Sequence, residues 1–132
     1  MGMHRVSRVI VFMYNNDERN KVVAILTDLG HEVFVARSFS ELKEGLTSQI
    51  HTDLDKKANL VIADFRESDS AKFPVGPSIA EFVRKIGGRK IKMILASNWL
   101  SDSAIAEGAD FFLEKPVRKD TLNRAMEKIG CM

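Results

Sequence analysis

The sequence predicts a doubly wound α/β fold: five parallel strands in the order 2-1-3-4-5, with helices on both faces of the sheet. Three observations predict it. Val9–Met13 and Leu60–Ala63 are continuous apolar runs without polar alternation, the pattern of strands buried on both faces. Stretches with apolar residues at helical spacing separate the strand candidates, giving five βα units. Right-handed crossovers between parallel strands then send helices to both sides, and at this size that strand order is the first choice.

In chain order, Val9–Met13 is strand one. Asn15, Asn16, Asp17 and Glu18 supply an N-cap and acidic first-turn residues. Val22, Ile25, Leu26 and Leu29 form the stripe of a first helix over 17–29, and Gly30 is a natural stop. Glu32–Ala36 is strand two. Ser38 with Glu41 makes a capping box ahead of Leu42, Leu46 and Ile50, the inner stripe of a second helix; the polar 51–57 segment reads as a solvated connection, long enough for the helix to extend into it. Strand three is Asn59–Asp64.

From Phe65 to Pro77 the residues are poor helix or strand formers, and loops of that length are usually functional or mobile. Phe65 and Phe73 are expected to fold this loop back onto the domain. Pro77 suits the first turn of a third helix, with Ile79, Phe82, Val83 and Ile86 inward and Gly87-Gly88 at its end. Ile91–Ala96 is strand four, Ser101-Asp102 caps a short fourth helix through Glu107, and Phe111–Leu113 is strand five. A fifth helix carries Leu122, Ala125, Met126 and Ile129 on one face.

At 132 residues the chain has length for one domain with a real core and not for two, so 1–132 is read as a single domain. Residues 1–4 read as a disordered tail or an added remnant, with Met3 the natural start. The start is too short and polar for a signal peptide, and no apolar run approaches the roughly 20 residues that span a bilayer. One cysteine, Cys131, excludes an internal disulfide and fits a cytoplasmic location. A net charge of +2 with interleaved signs excludes the basic footprint of a nucleic-acid binder. His4, His31 and His51 share no metal-ligand spacing.

Asp64 and Lys115 carry the chemistry. Asp64 closes strand three at the carboxyl rim of the sheet, where open α/β sheets bind ligands. Lys115 leaves strand five at the same rim. Read alone, Asp64 could equally start a turn or cap a helix, and Lys115 could be a solvated lysine.

Asn59-Leu60-Val61-Ile62-Ala63-Asp64 resembles the phosphoacceptor strand of response-regulator receiver domains. Gly108-Ala109-Asp110-Phe111-Phe112-Leu113-Glu114-Lys115-Pro116 resembles that family's Gly-Ala-Asp-x-aromatic-x-x-Lys-Pro ending. Leu29-Gly30-His31-Glu32-Val33 looks like its helix-one exit, so the likeness covers nearly the whole chain. It implies a flavodoxin-like receiver fold, not an enzyme beyond self-catalysed phosphotransfer. Asp64 would take a phosphoryl group from a sensor histidine kinase or a phosphotransfer protein. Lys115 would neutralise the developing charge, in an orientation set by a peptide before Pro116 that is cis in the family. Mg²⁺ would be held by Asp64, the backbone carbonyl of Arg66 and acids after strand one. A hydroxyl ending strand four and an aromatic in strand five, here Phe112, would read out the phosphoryl oxygens.

The sequence departs from that pattern in two places. Gapless counting puts Met13 and Tyr14 where the family has its acidic pair, and only a shift would bring Asn15, Asn16, Asp17 or Glu18 to the metal. Asn15 and Asp17 are the candidates. The same count puts Ala96 at the hydroxyl position and Ser97 one residue later, pointing the other way. One carboxylate about 4 Å from a divalent ion contributes roughly 8 kcal/mol gross at an effective dielectric near 20, before desolvation. Mg²⁺ binding is therefore expected to be weak.

Two functions follow. One is a phosphoacceptor receiver that changes its partner through the face of the fourth helix, strand five and fifth helix. Its output would be a downstream protein or a fused output domain, with a homodimer open and no nucleic acid or membrane. The other is a pseudo-receiver, a phosphorylation-independent interaction module. A flavin carrier or small flavodoxin-like enzyme fits poorly, since no Ser/Thr/Gly-rich phosphate loop follows strand one.

Overall fold

Strand three sets the centre of the molecule. In the computed structural model, which describes residues 7–52, 58–66, 75–87, 90–99 and 108–130, β3 (Leu60–Asp64) is buried at every position. Around it lie β1 (Arg8–Phe12), β2 (Glu32–Val35), β4 (Lys92–Ser97) and β5 (Phe111–Glu114), all parallel, in the order β2-β1-β3-β4-β5. The predicted sheet and strand order are thus observed. The helices are α1 (Asn16–Asp28), α2 (Phe39–Thr52), α3 (Gly76–Gly87) and α4 (Lys119–Lys128). The last is the predicted fifth helix. The predicted helix over 101–107, Phe73, residues 1–4 and Cys131 lie outside the described residues.

Strand alternation sorts the core into two layers. Val9, Val11, Met13, Ile62, Ile94, Ala96 and Leu113 pack with Val22 and Leu26 of α1 and Leu122 and Met126 of α4. On the other side, Ile10, Phe12, Val61, Ala63, Met93 and Leu95 pack with Leu42 and Leu46 of α2 and Ile79 and Val83 of α3. Phe65 is fully buried in this second layer, so the chain folds back there as expected. An edge-to-face aromatic chain, Phe12–Phe39–Phe82, ties β1 to both helices of that side.

Three ties use motif residues. Gly30 takes φ 89° after α1, where the His31 N–H reaches the Leu26 carbonyl, a left-handed stop that favours glycine. Asp110 Oδ2 accepts from the Met93 N–H and from Arg84 Nη2, each at 2.8 Å, which pins the start of β5 to β4 and α3. His31 Nδ1 accepts the Ser7 N–H at 2.9 Å, a fold contact rather than a metal ligand.

Gly76, the first residue of α3, is a point of close approach. A Cβ there would lie 2.6 Å from Phe65 Cδ2 and 3.0 Å from Leu95 Cδ1. Gly76→Ala is expected to cost about 1–3 kcal/mol by overpacking, against a gain of under ~1 kcal/mol from helix propensity. Urea unfolding reads the difference; a stabilised variant would show that Phe65 yields freely.

Candidate functional site

Parallel register and pleat decide which side chains meet at the carboxyl rim. Asp64 pairs in register with Ala96, so the two side chains stand on the same face. Lys115 continues the same alternation two residues after Leu113, and the Lys115–Pro116 peptide is cis. Its ammonium lies 2.7 Å from Asp64 Oδ1. The acid from the middle of the sheet and the amine from its edge therefore share one hollow under the start of α1.

Both side chains are largely buried, Asp64 2% and Lys115 8% exposed. Asp64 Oδ2 accepts the Tyr14 backbone N–H at 2.8 Å, so each carboxylate oxygen is engaged. Lys115 has a second carboxylate: Nζ donates to Glu18 Oε1, also at 2.7 Å. Burial pushes the Asp64 carboxyl above its usual value, outweighing the pull of Lys115 and of the Tyr14 N–H, while Glu18 adds to the rise. Burial alone would lower Lys115, but its bonds to Asp64 and Glu18 outweigh that and hold it above the ordinary lysine value. A cleft of about 90 Å³ lined by Glu18, Lys21, Asn98, Lys115, Pro116 and Val117 opens on the Lys115 side of the pair.

The other candidate residues are placed as follows. Met13 is buried in the α1/α4 layer, and Tyr14 turns its ring towards Phe12 in the opposite layer, centroids 5.5 Å apart. Their side chains bring no charge to Asp64. Asn15 is the N-cap of α1; its Oδ1 accepts the Glu18 N–H at 3.0 Å and is spent there, not on a metal. Asp17 is an exposed first-turn acid pointing away from the sheet. The carboxylate that does reach the site is Glu18, one residue further on, and it is bound to the lysine.

Of the two strand-four candidates, Ala96 lies on the Asp64 face and has no hydroxyl. Ser97 alternates to the other face, where its Oγ accepts the Trp99 N–H at 3.0 Å. Arg66 lays its guanidinium 4.9 Å from the centre of the Trp99 ring and 5.8 Å from that of Phe65. Phe112 is half-buried and pairs with Leu95.

The residues present do not make an Mg²⁺ site. Among the described residues no three acids or histidines cluster in a way that could hold a metal ion. Asp64 gives one oxygen to a cation and one to an amide, and the second carboxylate nearby is already paired. Octahedral Mg²⁺ would find a single free-standing acid, Asp64, whose oxygens it must share with an ammonium and an amide.

No protein-family profile matches the chain, and no curated protein matches it. Solved structures do. The receiver domain of a sensor histidine kinase from Pseudomonas aeruginosa, whose structure has magnesium coordinated in the active-site cleft, is 19% identical. It superposes with a TM-score of 0.71 over 95% of this chain and 98% of that one. A response-regulator receiver domain from Clostridium thermocellum is 22% identical, with a TM-score of 0.72 and 94% of each chain covered. A chemotaxis response regulator of Vibrio cholerae is 19% identical, with a TM-score of 0.72 over 94% of this chain and 98% of its own. The fold is that of response-regulator receiver domains. No described helix is long and apolar enough to cross a membrane.

Proposed function

We propose that this chain, built on the receiver fold, is a signalling module that binds a protein partner without Mg²⁺-dependent phosphotransfer. The observation that supports it most is the set of side chains around Asp64. Met13 and Ala96 stand where metal-binding acid and phosphoryl-binding hydroxyl would be needed, and both Asp64 oxygens are engaged within the protein. A carboxylate attacks an anionic phosphoryl group only when cations offset the repulsion. Among the described residues the cation in direct contact is Lys115, and it is shared with Glu18. The partner face includes β5 and α4, which lie beside Lys115.

A second reading keeps Asp64 as a phosphoacceptor for a histidine kinase. What favours it is the 2.7 Å approach of Lys115 to Asp64 at the carboxyl rim, the arrangement that such a transfer uses.

One experiment separates the two. The protein is incubated with Mg²⁺ and acetyl phosphate, or with a beryllofluoride mimic, and followed by intact mass and Trp99 fluorescence. The expected result is no adduct, no fluorescence change beyond that of Asp64→Asn, and calorimetric Mg²⁺ binding in the millimolar range or weaker. A phosphoryl adduct lost in Asp64→Asn would establish the second reading. Micromolar Mg²⁺ affinity would mean that Glu18 leaves Lys115 for the metal.

A further inference from the structure

Arg19 sits where a cation is least favoured. It belongs to the inward stripe of α1 with Val22 and Leu26, and it is 8% exposed. Burial penalises its charge, and so does its place in the first turn, at the positive end of the helix dipole. Among the described residues no carboxylate lies within ion-pair distance of it. Its acceptors are Asn16 Oδ1 and, at 3.1 Å, the backbone carbonyl of Met13.

That carbonyl belongs to the same peptide unit as the Tyr14 N–H, which donates to Asp64 Oδ2 at 2.8 Å. The peptide is planar and conjugated, so a cation at its oxygen draws charge from nitrogen and strengthens the N–H as a donor. Guanidinium, peptide and carboxylate thus form one rigid chain: Arg19 Nη1 to Met13 O, and Tyr14 N–H to Asp64. We infer that Arg19 is a positioning residue for Asp64, acting through the Met13–Tyr14 peptide. Asp64 is held between two cations, Lys115 directly on Oδ1 and Arg19 relayed onto Oδ2. The stretch after β1 serves the carboxylate with its backbone rather than with side-chain acids. This deepens the reading above, in which Asp64 is a held carboxylate with no metal, and it rests on that reading.

The test is a double-mutant cycle by urea unfolding on wild type, Arg19→Met, Asp64→Asn and the double variant. Arg19→Met is expected to lower the folding constant about fivefold to tenfold more in wild type than in the Asp64→Asn background, as for members of one hydrogen-bonded network. The Tyr14 amide proton is expected to move upfield in both single variants. Arg19→Lys, which keeps a donor for the Met13 carbonyl, should restore part of that shift, and it carries the cycle if Arg19→Met does not fold. Effects that add to within about twofold, or a Tyr14 proton that ignores Arg19, would overturn the inference. A merely structural Arg19 gives that result. Additivity would leave the metal-free reading standing, whereas a phosphoryl adduct on the wild type would remove that reading and leave the coupling intact.

Discussion

Lys115→Met is expected to cost about 3–5 kcal/mol of folding stability at neutral pH, the range for breaking a buried ion pair from one side. Methionine keeps most of the apolar stem, so the loss is electrostatic rather than a cavity. It leaves Asp64, with its side chain 2% exposed, facing the Tyr14 N–H as its remaining described donor. The pH dependence identifies the cause. Burial already raises the Asp64 pKa above 3.8, and removing the adjacent cation raises it further. A carboxyl whose folded pKa is raised binds its proton more tightly in the folded state. Its contribution is therefore fully present below the unfolded value and is lost as pH rises through the folded one. The deficit of the variant is accordingly largest near neutrality and shrinks as Asp64 becomes protonated on acidification. Lys115, raised above 10.5, gives stability that is present below that value and lost as pH climbs through its folded pKa. The alkaline loss attributable to this pair should be missing from the variant. Urea unfolding across pH checks both limbs, and a deficit independent of pH would show that the pair is not the source.

The layered fold was legible because its signals are local and redundant. Leu60–Ala63 is apolar throughout since both faces are covered, and Gly30 stops α1 by a backbone conformation that few other residues adopt. Asp64 and Lys115 were legible for a related reason: each ends a strand, and a parallel sheet gathers its strand ends at one rim. The surroundings of Asp64 were harder to read. Gapless counting puts Ala96 at the hydroxyl position and Ser97 one residue later, but only the register with β3, which sets Ala96 beside Asp64, shows which of the two shares the acid's face. Asn15 and Asp17 suited a metal by chemistry, yet the first is spent on capping and the second faces outward. Glu18 reads in the sequence as a first-turn acid or a metal ligand, because nothing in a linear sequence says that residue 18 lies beside residue 115. Arg19 leaves only a faint trace in the sequence: a charge three residues before Val22 and seven before Leu26 interrupts an otherwise apolar stripe. Backbone donors such as the Tyr14 N–H leave no trace at all.

Adding an acid and a hydroxyl beside Asp64 should strengthen metal binding and phosphoryl transfer, and the expected gain is large. Met13→Asp places a carboxylate on the face that carries Asp64, and Ala96→Ser places a hydroxyl in register with it. Without divalent ion, Met13→Asp should destabilise the fold by about 3 kcal/mol, because it buries a second like charge and removes a packed apolar side chain. Added Mg²⁺ should recover much of that loss, since an ion that binds only the folded state stabilises it by mass action. A carboxylate near 4 Å from Mg²⁺ supplies roughly 8 kcal/mol gross. Even after desolvation and the detachment of Asp64 from Lys115, a gain of at least about tenfold in Mg²⁺ affinity is expected for the double variant. Acetyl phosphate should then give a phosphoryl adduct that vanishes when Asp64→Asn is added. Calorimetry and intact mass read the two effects separately. Unchanged Mg²⁺ affinity with an intact fold would mean that the shortage of acids is not what keeps metal away, and that the hold of Lys115, Glu18 and the Tyr14 N–H on Asp64 is sufficient by itself.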